Sequence, residues 1–284
     1  MLAEDARPGA ARERTRALEP AEARHNVRIR HRVGMLTLDV DFTLDRHWTV
    51  LFGPSGAGKT TILRILAGLV RPDYARIVST IHAGTDQERS LTLVDTEAGL
   101  FVPAHRRAVR LAPQQANLFP HMTVHENVSY GANSARRDAS EEEDRRLRVG
   151  RLLTDFRILQ LARKRPAQLS GGEARRAALA RTVASSDCRL LLLDEPFTGL
   201  DLALRDELIA MLLDAGAYCS TGQVLSVTHD VGEAYQLGGE IVRIAEGRVV
   251  AQGPVETVLA KERERLLGQL RGPGPGGQGA GHAV

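Results

Sequence analysis

The chain is poor in aromatics, which make up 4% of its 284 residues, with a single tryptophan and four tyrosines. It has two cysteines, Cys188 and Cys219, without metal-ligand spacing. That excludes a cysteine-built zinc site or a disulfide scaffold, and reads most simply as thiols of a reducing compartment. No run of about 18 consecutive apolar residues is present, so no segment reads as a membrane-spanning helix. The charged start, Met1 to Arg24, lacks the apolar core of a secretory signal. A net charge of +3 is small for this length and leaves nucleic-acid binding without an electrostatic footprint.

What is present suffices for a globular fold. Hydrophobic residues make up 43% of the chain, enough for a real core. Met1 to about Ala23 is rich in Ala, Arg and Glu and reads as an extension over residues 1–24. Gly272 to Val284 is rich in Gly and Pro and reads as a structureless tail over residues 271–284. Between them, residues 25–270 read as one domain. Leu36 to Phe42 alternates apolar and polar, as a half-exposed strand does. With the strand-like pieces from Ile77 to Phe101 it predicts an antiparallel β layer. Thr49-Val50-Leu51-Phe52, Leu190 to Leu193 and Val224 to Val227 are continuous apolar runs, the pattern of buried parallel strands. Helical spacing follows at Thr60 to Leu69, Glu173 to Ala184 and Asp201 to Leu213. The charged stretch Ser140 to Leu161 lies in a helical subdomain over about residues 115–185. Ser140 and Glu143 have capping-box spacing. Strands alternating with helices predict an α/β fold with a parallel core.

Gly53-Pro54-Ser55-Gly56-Ala57-Gly58-Lys59-Thr60 matches G-x-x-x-x-G-K-[ST], between an apolar strand and a helix. The glycines let several N–H groups converge into an anion nest, and the helix start adds its dipole and unpaired donors. Lys59 supplies a point charge to β- and γ-phosphates. The Thr60 hydroxyl suits Mg²⁺, and Thr61 suits the phosphates. Leu190 to Leu193 puts Asp194 at the carboxyl edge of the sheet, where ligands of such sheets gather. Asp194 is placed to hold Mg²⁺, and Glu195 to polarise a water that attacks the γ-phosphate. Acidic residues commonly end strands. The phosphate loop upstream is what gives this pair a function.

The run Leu169-Ser170-Gly171-Gly172-Glu173 lies between these two motifs. In that order the three resemble the nucleotide-binding subunits of ABC transporters, from roughly His25 to Leu259. The resemblance implies a P-loop NTPase of ABC type that binds and hydrolyses ATP with Mg²⁺. It implies that Gln114 senses Mg²⁺ and the γ-phosphate. It implies that Ser170, Gly171 and Gly172 close over ATP held by a second copy of the chain, that Asp201 lies at the dimer interface, and that His229 contacts the γ-phosphate. Each has a plainer reading: a loop glutamine, helix N-caps at Ser170 and Asp201, a strand-end histidine. The resemblance further implies attachment to membrane permease subunits at the cytoplasmic face, indirect service to a substrate-binding protein, and no nucleic-acid partner.

Within the family, Leu118 to Val128 resembles importers of oxyanions and small solutes. Gly99 to Arg107, with Leu38 to Gly58, looks most like ATPases of molybdate importers. Sulfate, iron or polyamine importers are the alternative cargoes, and a soluble non-transport ABC ATPase is the alternative class. The family's adenine-stacking aromatic has no counterpart in Val27 to Val33, and Pro113 stands before Gln114 where an aromatic is frequent. Such importer subunits often carry a C-terminal oxyanion-binding domain. The Gly/Pro tail after Leu270 is too short for one.

Overall fold

The computed structural model describes residues 20–82, 85–132, 139–185, 187–213 and 223–271. Cys219 and nearly all of both outer segments lie outside these. Eleven strands form one sheet: β1 (Pro20–Val33), β2 (Leu36–Arg46), β3 (Trp48–Phe52), β4 (Tyr74–Ile81), β5 (Arg89–Asp95), β6 (Leu100–Phe101), β7 (Val109–Ala112), β8 (Leu190–Asp194), β9 (Gln223–Thr228), β10 (Glu240–Ala245) and β11 (Arg248–Pro254), in the order β6-β5-β4-β1-β2-β11-β10-β3-β9-β8-β7. From β10 to β7 the neighbours run parallel, whereas β2, β1, β4, β5 and β6 pair antiparallel. The two halves meet where β11 pairs with β2 at Arg248↔Asp39. The parallel core and the antiparallel layer are thus one continuous surface.

The central strands are buried on both faces, and their two-residue period divides them between two cores. Leu191 and Leu193 of β8 join one core with Trp48, Val50, Phe156 and Val183. Leu190 and Leu192 join the other with Val27, Leu38, Ile62 and Leu225. The single tryptophan fits in the first because its indole N–H donates to Ser226 Oγ at 2.9 Å, so no polar atom of the ring is left unpaired.

Helix α1 (Lys59–Leu66) is the next element after β3. Its C-terminal carbonyls are capped by a buried arginine. Arg107 donates from Nη1 to Ile65 O and Leu66 O at 2.8 Å, and from Nε to Val102 O at 2.7 Å. Burial pulls its pKa down to about 10. The helical side comprises α2 (Val124–Gly131), α3 (Ala139–Asp155) and α4 (Gly171–Val183). There Asn127 is fully buried, and its amide nitrogen holds the carbonyls of Phe119, Met122 and Thr123 at 3.2, 3.3 and 2.9 Å. Helices α5 (Leu202–Leu213), α6 (Val231–Leu237), α7 (Val255–Val258) and α8 (Ala260–Arg271) complete the fold. No helix among the described residues is long and apolar enough to cross a membrane.

Two boundaries differ from the sequence expectation. Strand β1 starts at Pro20, and Ala23 is fully buried opposite Ile81, so residues 20–24 belong to the sheet. Their composition carries no strand signal, and main-chain pairing recruits them, Pro20 opposite Arg46 of β2 and Ala23 and Arg24 opposite Ile81 and Thr80 of β4. Ser140 falls inside α3 by its backbone, one residue past the start; its side chain lies outside the described residues.

Candidate functional site

Four adjacent parallel strands, β3, β9, β8 and β7, end at the same edge of the sheet. Each delivers one part of the site there. After β3 comes the loop Gly53 to Gly58. Gly53 is buried against β10: a Cβ on it would lie 2.1 Å from Ile244 O. Pro54, Ser55 and Gly56 are exposed, and Ala57 is buried. Gly58 stands before the first turn of α1 with φ 94°, a left-handed conformation that side-chain-bearing residues adopt at a cost. Lys59, Thr60 and Thr61 form that first turn. The Lys59 ammonium is nearly buried and turned onto the loop's own carbonyls, Gly53 O at 2.7 Å and Pro54 O at 2.8 Å. Burial lowers its pKa, and the nearby Glu195 and Asp194 charges oppose that shift.

The end of β8 supplies Asp194 and, directly after it, Glu195. Asp194 is buried, and Thr60 Oγ1 donates to its Oδ1 at 3.2 Å. Burial raises the Asp194 pKa, and the Thr60 hydrogen bond works against that rise. Glu195 has φ 47°, a left-handed backbone for a side-chain-bearing residue, which costs on the order of 1 kcal/mol or more. Its N–H donates to Val227 O at 3.1 Å. Both carboxylate oxygens are engaged. Oε2 accepts from Gln114 Nε2 at 3.0 Å, and Oε1 lies 3.1 Å from His229 Nδ1. Thr198 Oγ1 adds a longer contact to Oε2 at 3.4 Å. Gln114 follows β7, and His229 follows β9.

The structure therefore brings together Lys59, Thr60, Gln114, Asp194, Glu195 and His229. Ser170 and Asp201 are occupied locally. Ser170 caps α4 in a reciprocal box: Glu173 N donates to its Oγ at 3.3 Å, and Ser170 N donates to Glu173 Oε2 at 2.7 Å. Asp201 Oδ1 accepts from Leu204 N at 3.0 Å, capping α5. Gly172 lies beside Leu200 and Gly199, so the Ser170–Gly172 turn and the segment before Asp201 adjoin each other. Sequence reasoning missed Thr198, Arg175 and Glu233. Glu233, on α6, is nearly buried, and burial lifts its pKa to about 7. A carboxylate on a short helix carries no signal of burial in the sequence.

A glycine-rich loop with a lysine and a helix start fits a polyphosphate, and the Thr60 hydroxyl beside a buried carboxylate fits a hard cation. Among the described residues no cluster of three or more His, Cys, Asp and Glu is present. Phosphate-bound Mg²⁺ needs only one or two carboxylates, because substrate oxygens and water fill its other positions.

A profile of the ABC transporter family matches residues 38–198. The chain belongs to the ABC transporter family. The molybdenum import ATP-binding protein of Mesorhizobium japonicum is 37% identical over 87% of this chain and 62% of its own length. The molybdate/tungstate import ATP-binding protein of Archaeoglobus fulgidus is 36% identical over 82% of this chain and 88% of its own length. This ABC family member thus spans about three fifths of the molybdenum import relative and most of the second protein. A solved Clostridium perfringens protein, part of an ABC transporter complex, superposes with TM-score 0.66 at 24% identity over 90% of this chain and 97% of that one. A dimeric ATP-binding cassette in a post-hydrolysis state gives 0.63 at 24% identity over 81% and 98%. Both share the ABC fold.

Proposed function

We propose that this chain is the ATP-hydrolysing subunit of an ABC importer and energises molybdate uptake through a separate membrane permease. The observation that carries the hydrolytic part is the convergence of Lys59, the Thr60–Asp194 pair and Glu195, with Gln114 and His229 on its two oxygens, at one sheet edge. The cargo rests on the likeness to relatives named for molybdenum and molybdate/tungstate import.

Residues Gly53 to Gly58, Lys59, Thr60 and Thr61 bind the phosphates through main-chain donors, the ammonium and the helix start. Thr60, Asp194 and Gln114 hold Mg²⁺, which when bound neutralises charge on the phosphates. Phosphate binding moves the Lys59 ammonium off the Gly53 and Pro54 carbonyls, which until then keep its charge at the loop. Glu195, oriented by Gln114 and His229, accepts a hydrogen bond from the attacking water and polarises it. A second copy supplies Ser170, Gly171 and Gly172 as a helix N-terminus facing the γ-phosphate, with Asp201 at the interface. The chain sits peripherally at the cytoplasmic face of the membrane, bound to permease subunits that a substrate-binding protein serves, with no nucleic-acid partner.

Elemental mass spectrometry of cells grown at trace molybdate tests the cargo, comparing the parent with Lys59→Ala in a host lacking other molybdate importers. Cellular molybdenum is expected to fall selectively in the variant and to recover at high external molybdate. Unchanged molybdenum, or a fall in sulfate, iron or polyamine uptake instead, would contradict it.

A further inference from the structure

Helix α4 carries three arginines, and they face different parts of the molecule. Arg176 Nη1 reaches Phe156 O and Arg157 O at 3.2 and 2.8 Å, and Arg181 Nη1 reaches Asn117 O at 3.0 Å. Arg175 alone of the three grips the site. Its Nη1 donates to Glu195 O at 2.5 Å, and its Nη2 donates to Gln114 O at 2.6 Å. These carbonyls lie beyond the ends of two adjacent strands, β8 and β7. Among the described residues the Arg175 guanidinium forms no ion pair, so its donors serve main chain rather than a carboxylate.

The grip falls where the backbone needs it. Glu195 has the left-handed φ of 47°, and a residue in that region keeps its conformation only when its surroundings determine it. Val227 O fixes its N–H at 3.1 Å, while the other donor to its carbonyl, Thr198 N, is a long 3.4 Å away. Arg175 is the short contact on the carbonyl side. A planar fork with two parallel donors holds two acceptors at a fixed separation, which a single ammonium cannot do.

We propose that Arg175 is a positioning residue for the Glu195 carboxylate. Its fork locks the Glu195 peptide to the Gln114 peptide, so the orientation of α4 sets the aim of the carboxylate. The N-terminus of α4 is the Ser170–Gly172 turn, which begins five residues before Arg175. Movement of that turn onto a partner's nucleotide is thereby transmitted to Glu195 of the same chain. This rests on the hydrolytic reading given above, but the grip itself has a readout that needs no hydrolysis.

Arg175→Lys keeps the charge without the fork, and Arg175→Met keeps the stem alone. Both are compared with the parent for phosphate release across ATP concentrations, for melting temperature, and for amide exchange. The expected result is a fall in kcat of roughly tenfold or more with KM for ATP within about twofold, because positioning and not phosphate binding is lost. Lys is expected to fall nearly as far as Met. Amides of residues 114–117 and 195–198 exchange faster in both variants, while those of Gly56 to Thr61 do not. A kcat within about twofold of the parent, or a loss shared equally by KM and melting temperature, overturns the proposal. A parent that releases no phosphate contradicts the hydrolytic reading, and exchange then decides the positioning role alone: unchanged exchange in both segments overturns it, and faster exchange in both upholds it.

Discussion

Glu195 and His229 face each other at the sheet edge, with carboxylate Oε1 and ring Nδ1 3.1 Å apart. In the Nδ1–H tautomer the ring donates to the carboxylate. Gln114 holds the other oxygen at 3.0 Å from the opposite side. The carboxylate is therefore oriented from two strands that flank its own, β9 and β7. A side chain held this way presents a fixed direction to a water molecule, which is what phosphoryl transfer asks of it.

Gly53 tests how tightly the phosphate loop is bound to the sheet. A Cβ there would lie 2.1 Å from the main-chain oxygen of Ile244, which no rotamer change can relieve. Gly53→Ala is expected to lose about 1–3 kcal/mol of folding stability and to weaken ATP binding as the loop shifts. Urea unfolding and equilibrium nucleotide titration check both. Unchanged values in each would mean that β10 yields freely at this contact.

Glu233 gives a pH signature. Burial is the main cause of its rise from 4.5 to about 7; Asp230 and Glu195 add to it, while the Thr228 hydrogen bond and Arg205 oppose it. The folded chain therefore holds a proton that the unfolded chain releases between pH 4.5 and 7. Stability falls as pH rises through that window, by as much as about 3 kcal/mol. Glu233→Gln removes the ionisation. The variant is expected to exceed the parent in urea midpoint at pH 8 and to lose that advantage near pH 5. His25, whose pKa burial lowers to about 4, drives stability the opposite way but is common to both chains. An equal midpoint difference at the two pH values would refute the assignment.

Ser170 is exposed, and among the described residues its side chain bonds only within its own helix cap, which leaves its turn as a surface feature of the single chain. Ser170→Arg is expected to abolish Mg-ATP-dependent dimerisation, since a large cation would occupy the closing surface. Combining it with Glu195→Gln keeps ATP from turning over during gel filtration. Dimer formation matching the Glu195→Gln chain would contradict the two-copy site.

Legibility in the sequence followed local pattern. The loop Gly53 to Thr60 was readable because its glycines, lysine and threonine act within eight consecutive residues between a strand and a helix. Asp194 was readable because a short all-leucine run in an alternation of strands and helices reads as a doubly buried strand, and the phosphate loop upstream gives the acidic residue at its end a meaning. The parallel core and antiparallel layer followed from the contrast between such runs and the alternation at Leu36 to Phe42. Gln114 and His229 had no local mark; family resemblance singled them out, and only strand order places both against Glu195. Arg175 was invisible because its meaning lies in reach, from α4 to carbonyls 20 and 61 residues away in sequence. The burial of Ala23 was equally hidden, since β-pairing can recruit residues whose composition favours helix.

Phosphate release by the purified chain with Mg-ATP, parent beside Glu195→Gln, tests the central claim most directly, with nucleotide affinity measured on both. The account predicts turnover in the parent and a loss of roughly 10²-fold or more in the variant, with ATP binding retained. Parent-like hydrolysis by Glu195→Gln, or no Mg-dependent hydrolysis by the parent, would contradict it.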